Sequence, residues 1–366
     1  MIKKQIDDKL YLKKVRVKEI PGFIQSAFYQ SLLVKPISGL RAKSYYHNPR
    51  ASEDDFVLYL LFETDQLVGF RTILPDIVAP HSLNIKFGWC SGNWVAPEHR
   101  RKGFSKILLD EAYADWDNKL MYTNFARESH LLYNKTNYFK VLSERTRIRF
   151  YGKVNAEKLL KNRYYFNRIK PVLPIINIAI RAISRIKKSL FKPYKLEAHS
   201  VEVTTNYPKN FIAKKISEQD LFARNKLEFK WADEYPWLSA DQSNQNINYP
   251  FSLYEPNHQM WYITLKNDNK EPLKLILSSR GKNLKLLYNF SRDQNVLAAK
   301  VIINFCYTND FETFSLMDNE LAGIIIKLKK PFIARKKSRM GIYSTFEVNG
   351  IESYHIQDGD GDYMFT

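Results

Sequence analysis

Arg100-Arg101-Lys102-Gly103-Phe104-Ser105 is the stretch whose residue types and spacing speak most directly of chemistry. Gly103 and Ser105 carry no bulk, and Phe104, Ile107, Leu108 and Ala112 recur behind them at helical spacing. The first turn of a helix has unpaired backbone N–H groups and the positive end of the helix dipole. An open, basic turn feeding such a helix is a cradle for a diphosphate. The other residues with reactive or proton-carrying side chains nearby are Cys90, Glu128 and Tyr133. Cys90 has no histidine close in sequence to activate it, and a buried thiol is usually inert.

The elements that position this turn can be read around it. Ile85 to Val95 is apolar, aromatic and β-branched and predicts a strand, which Pro97 ends because it has no N–H to share. A helix over 104–119 and a strand over 120–126 follow. Upstream, the pattern predicts a strand at 10–17, a helix at 21–33 and a hairpin of 56–63 with 67–73 about the turn Thr64-Asp65-Gln66. Between helix and hairpin, 35–55 is basic and aromatic, with Arg41, Lys43, Tyr45, Tyr46 and His47, and reads as a loop or short helix. A helix near Tyr133 and strands over 141–150 complete the order β-α-β-β-β-α-β-α-β.

Two stretches in that order resemble the GNAT superfamily of acyl-CoA N-acyltransferases. Arg100-x-x-Gly103-x-Ser105, led in by Val95-Ala96-Pro97, resembles its motif A, with Ser in a slot the family fills with Gly or Ala. Leu132-Tyr133-Asn134-Lys135-Thr136-Asn137-Tyr138 resembles motif B, with Asn137 where the family has Gly; Asn is the next-best residue for a left-handed, helix-ending backbone. The resemblance implies acyl-CoA, most simply acetyl-CoA, as co-substrate, held by Val95, Arg100, Arg101, Lys102, Gly103, Phe104 and Ser105. It implies Tyr133 as the acid that protonates the departing thiolate, and 35–55 as a shaper of the acceptor pocket. Many family members carry a glutamate on the central strand, but Ile85–Val95 has no carboxylate. An ordered water held by Cys90, Ser91 or Asn93, Glu128 from the next loop, or an acceptor amine of low pKa would fill the role of a base.

Length and composition frame this. At 366 residues two domains are expected. The net charge is +19, which suits polyanionic partners such as CoA or an anionic membrane face. No zinc finger, basic zipper or RNA-binding signature is present, so no nucleic-acid partner is expected. Two cysteines, no apolar leader and no uncharged run of spanning length point to a cytoplasmic chain. The segment 172–191 is an apolar, basic amphipathic helix: a packing helix that joins two domains is the first expectation, a peripheral membrane contact the second. From about Val201 the coarse order repeats, with a helix from an N-cap Ser217, strands at 258–266, 273–280 and 284–289, a helix at 293–307, a strand at 313–317 and a helix at 320–327. There the place of the cradle reads Asn289-Phe290-Ser291-Arg292-Asp293-Gln294, without glycine and with an acid. The tail Asp358-Gly359-Asp360-Gly361-Asp362 lacks the length and closing glutamate of a calcium loop and reads as a turn before a last short strand; no metal is expected.

These readings predict an α/β (α+β) chain with a mixed central sheet flanked by helices: a GNAT-like domain at 1–153, the connecting helix region at 154–200, and a degenerate GNAT-like domain at 201–366 that binds no CoA. The expected activity is acetyl-CoA-dependent N-acyl transfer to a primary amine, by direct transfer in a ternary complex. The aromatic and basic residues of 35–50 favour a bulky or anionic acceptor such as an amino-sugar. The alternative is a non-catalytic module of the same fold that binds an anionic partner or membrane surface.

Overall fold

The computed structural model describes residues 1–79, 84–124, 127–160, 166–196, 200–209, 211, 219–267 and 270–365. Its elements, in chain order, begin with β1 (Ile2–Gln5), β2 (Leu10–Arg16), α1 (Ile20–Gln25), α2 (Ala27–Ser31), α3 (Gly39–Tyr46), β3 (Phe56–Glu63), β4 (Gln66–Val78) and β5 (Ile85–Val95). Then come α4 (Phe104–Asp115), β6 (Leu120–Thr123), α5 (Arg127–Thr136), β7 (Lys140–Tyr151), α6 (Ala156–Leu160), α7 (Phe166–Ile169), α8 (Leu173–Leu190) and β8 (Ser200–Thr204). The rest is α9 (Lys226–Glu234), β9 (His258–Asn267), β10 (Lys270–Arg280), β11 (Asn283–Asn289), α10 (Asn295–Thr308), β12 (Thr313–Leu316), α11 (Asn319–Lys327) and β13 (Ala334–Ser344). The single helix expected at 21–33 is two short ones, because Ser26 turns extended and its side chain caps α2 at the Tyr29 N–H. Residue 217, the expected cap, lies outside the described residues; α9 starts later, at a capping box built by Asn225 and Glu228.

The chain forms two compact units, and neither is a continuous half of the sequence. The first comprises Met1–Glu144, Ile212–His258 and Met340–Thr366; the second comprises Arg145–Phe211 and Gln259–Arg339. The boundaries read from the sequence, near 153 and 200, do not fall where these units divide. The reason lies in two late strands. The strand expected to close the first sheet, β7, instead pairs antiparallel with β12, Tyr151 opposite Thr313. The place beside β6 is taken by β13, from the C-terminal region, with Ile342 opposite Thr123.

In the first unit the strands run β1-β2-β3-β4-β5-β6-β13, antiparallel except for β5 with β6. Helix α4 packs its Phe104, Leu108, Leu109 and Ala112 on this sheet, against Leu12, Tyr59, Leu61, Val68 and Leu120. The segment 219–236 is tied to the same sheet through Asp76 on β4. Its carboxylate accepts from Arg50 at 2.8 Å, Arg224 at 2.6 Å, the Trp89 indole at 2.7 Å and the Ile77 N–H at 2.8 Å. Burial pushes the Asp76 carboxyl up, but Arg224, Arg50 and these donors outweigh it and hold it below the usual range. In the second unit β7-β12-β11-β10-β9-β8 form the sheet, with β11 and β12 parallel, around a core of β10, β11, α10 and α11 side chains. The tail holds no final strand: it ends in a helical turn over Gly361–Phe365, with Phe365 stacked on Trp237.

Candidate functional site

The turn before α4 is built as its sequence implies. Arg100 is extended, Arg101 has φ 68° and Gly103 has φ 87°, so the backbone winds through two left-handed residues into the helix. A Cβ on Gly103 would meet no atom within 4 Å, so the space beside it is open. The Phe104 and Ser105 amides lie in the first helical turn, where no intrahelical acceptor exists. The Arg100 side chain folds back, its Nε donating to the Val95 carbonyl at 3.3 Å. Arg100, Arg101 and Lys102 are all exposed, while Phe104 anchors the turn in the core.

The turn sits at the end of a strand that leaves its neighbour. Strand β5 pairs with β6 only through Gly88 and Trp89, then runs on to Val95. Its other edge stays paired with β4, with a bulge where Thr72 faces Gly92 and Ile73 faces Cys90. The bulge sets Ser91 as the extra residue. Cys90 and Asn93 therefore share a face with Arg71, while Ser91 and Gly92 share the opposite face with Thr72.

On the first face a buried guanidinium joins the two stretches that the sequence singled out. Arg71, on β4, donates from one terminal nitrogen to the Tyr133 hydroxyl at 2.9 Å. Its other terminal nitrogen donates to Asn93 Oδ1 at 3.2 Å and approaches the Ser105 carbonyl at 3.4 Å. Asn93 Nδ2 in turn donates to Ser105 Oγ at 3.2 Å. Arg71 is wholly buried and Tyr133 is 3 % exposed. The Tyr133 ring packs on Tyr122 and Phe139. Burial pushes its phenol up, Arg71 pulls it down, and the balance leaves it above the ordinary value, so it stays protonated at neutral pH. Because Arg71 donates to the phenol oxygen, the phenol's own hydrogen is available to another acceptor. The Cys90 thiol, beside both, is likewise pushed up by burial, with Arg71 pulling the other way and Asp362 adding to the rise. Asn137, closing α5, has the left-handed φ of 56° that its residue type suggested.

The opposite face is ordered by a second buried arginine. Arg41 on α3 donates to the Tyr45 hydroxyl at 2.9 Å, Thr72 Oγ1 at 3.0 Å, the Tyr249 hydroxyl at 3.3 Å and Ser91 Oγ, and its guanidinium lies 4.0 Å from the Trp237 ring centre. Gly92 is required here: a Cβ would come within 2.6 Å of Thr72 Oγ1 and 3.4 Å of Arg41. Arg50, from the same segment, is spent in the Asp76 cluster, where it also pairs with Glu228 at 2.8 Å. Both arginines of 35–50 thus face inward, leaving Lys43, Tyr46 and His47 exposed.

Three features of this site escaped the sequence reading. Arg71 looks like any polar residue in an alternating strand, and only the sheet aims it under the turn. Asp362 is 272 residues beyond Cys90 in the chain, and the packing of Gly361 on Trp89, 3.5 Å from ring to Cβ position, brings it close. Tyr249 and Trp237 come from a segment assigned to the other domain. The Glu128 side chain lies outside what is described. Among the described residues no group of three or more His, Cys, Asp or Glu side chains could hold a metal ion. A cavity of about 580 Å³, lined in part by Asp54, Asp55 and Trp116, lies at the Ile85 end of β5 and touches none of the turn residues.

No protein-family model matches the chain, and no curated protein matches it. Solved structures do. A conserved protein of Enterococcus faecalis V583, described as a probable N-acyltransferase, superposes with a TM-score of 0.51 at 10 % identity, covering 91 % of this chain and 72 % of its own. GCN5-related N-acetyltransferases from Anabaena variabilis (TM-score 0.47, 10 % identity) and Kribbella flavida (0.43, 12 %) match over 91 % and 92 % of this chain, and each over 72 % of its own. At this identity the likeness is one of fold: the chain has a mixed α/β fold of the kind found in N-acyltransferases.

Proposed function

We propose that this chain is an acyl-CoA-dependent N-acyltransferase that passes an acetyl group directly to a primary amine, with the first unit as its catalytic body. The observation that carries the reading is the Arg71 bridge. One buried guanidinium touches both Ser105, in the diphosphate turn, and Tyr133, the candidate acid, from stretches that resemble the two GNAT motifs.

The backbone amides from Arg101 to Ser105 would hold the diphosphate, with Arg100, Arg101 and Lys102 adding charge. The edge of β5 beyond Trp89, free of β6, offers main-chain groups to align the thioester and polarise its carbonyl. Tyr133 would give its proton to the leaving thiolate, with Arg71 fixing the phenol oxygen. We propose Asp362 for the base that β5 lacks, since Gly361 beside it packs on Trp89 of β5 and its charge adds to the rise of the Cys90 thiol. Among the described residues no left-handed backbone occurs between 282 and 309, so the second unit has no comparable turn before α10. An acceptor with an anionic or sugar character remains the reading of 35–50, through its exposed members Lys43, Tyr46 and His47.

Acetyl-CoA should raise the thermal midpoint of the wild-type chain and not that of Gly103→Glu. The glutamate sets a negative carboxylate in the open space where the diphosphate must lie, and φ 87° adds strain of about 1–2 kcal/mol. Gly103→Asn, which tolerates that backbone, is the folding control. Normal CoA binding by Gly103→Glu would remove the assignment of the turn.

A further inference from the structure

Helix α8 is turned inside out. Its side against the rest of the second unit is mostly polar: Asn177 accepts from the Ala156 N–H at 2.8 Å, Ser184 donates to the Gly152 carbonyl, and Lys188 pairs with Asp310 at 2.6 Å. Of the large apolar residues only Leu173 is buried there. Ile175, Ile178, Ile183, Ile186 and Leu190 are instead 56–75 % exposed. At 3.6 residues per turn they fall on one arc opposite Asn177 and Ser184. Exposed Arg181 and Arg185 border that arc on one side and Lys187 on the other. The amphipathic pattern is therefore real, but it does not serve the packing expected of a helix joining two domains.

A contiguous outward apolar face marks an interaction surface. The charge says what kind. The helix carries no acidic residue, and between Glu157 and Glu197 there are eleven Lys or Arg and no Asp or Glu. A second copy docked on this face would bring arginines and lysines against their own kind with nothing to answer them. A surface that is apolar below and anionic above satisfies both features at once. Spanning is excluded for α8, since among the described residues no helix is long and apolar enough to cross a membrane.

We propose that α8 docks the protein on an anionic lipid surface, with Ile175, Ile178, Ile183, Ile186 and Leu190 in the acyl boundary and Arg181, Arg185 and Lys187 at the headgroups. This goes beyond the acyltransferase reading and does not depend on it. The test is co-flotation of the full chain with phosphatidylcholine vesicles, with and without phosphatidylglycerol. The wild type should float with the anionic vesicles and stay behind with the neutral ones. Ile178→Asp/Ile186→Asp should abolish flotation, and Arg181→Glu/Arg185→Glu should weaken it by about tenfold or more. All four positions are exposed, so the melting curves should match the wild type, which separates lost docking from lost folding. Failure of the wild type to float on anionic vesicles would overturn the proposal. So would undiminished flotation of the Ile178→Asp/Ile186→Asp variant, or a wild-type dimer in light scattering that this variant dissociates.

Discussion

Removing one oxygen atom from Tyr133 separates chemistry from packing. In Tyr133→Phe the ring keeps its contacts with Tyr122, at 4.1 Å between centres, and Phe139, at 5.1 Å. What goes is the acceptor for Arg71 and the proton for the thiolate. Arg71 retains Asn93 Oδ1 and the Ser105 carbonyl, so the stability cost is bounded by one hydrogen bond to a charged group, about 1.5–3 kcal/mol. The catalytic cost is larger. Loss of a general acid lowers the rate by about 10²–10⁴-fold, or about 3–5 kcal/mol of barrier. The thiolate gains charge only as the C–S bond breaks, so the loss belongs to kcat, with the KM for acetyl-CoA unmoved. The assay is release of free CoA thiol with an amine acceptor found by screening. Arg71→Met alone should reproduce much of the loss, and adding it to Tyr133→Phe should cost little more, since both act through one hydroxyl. Wild-type kcat in Tyr133→Phe would refute the role and leave water or the CoA itself as proton source.

Asp362→Asn should lower turnover by about 10²–10⁴-fold and flatten the acidic limb of the pH profile; an unchanged profile would dismiss Asp362 as the base. Isothermal titration should return one CoA per chain, and two equivalent sites would contradict the assignment of a single cradle. Asp76→Asn should destabilise the first unit by about 1.5–3 kcal/mol in urea unfolding, because Arg50 and Arg224 lose their shared carboxylate and keep only Glu228 and the more distant Asp360. The same pair gives a pH signature. The Asp76 carboxyl titrates below its unfolded value, so its stabilisation is present above about pH 4 and drains away as the pH falls through the folded value. A wild-type chain that keeps its full stability well below that pH would show that the cluster contributes little.

What the sequence by itself determined is local. Proline after an apolar strand, glycine at a left-handed position and aliphatics at helical spacing specify strand, turn and helix within some twenty residues, and β5, Gly103 and α4 form as read. The left-handed Asn137 follows from residue type in the same way. Tertiary structure decided everything that depends on which elements meet. β7 reads as the closing strand of the first sheet, and β13 was not read from the sequence at all; strand pattern carries no label for the partner, so only packing sends β7 to β12 and β13 to β6. Arg71 and Asp362 acquire their meaning from a sheet face and a returning tail far apart in the chain. The amphipathicity of α8 is legible in its periodicity, but periodicity defines two faces without saying which is covered. Here Asn177, Ser184 and Lys188 find hydrogen-bonding partners in the rest of the second unit, and the aliphatic face is left to the outside.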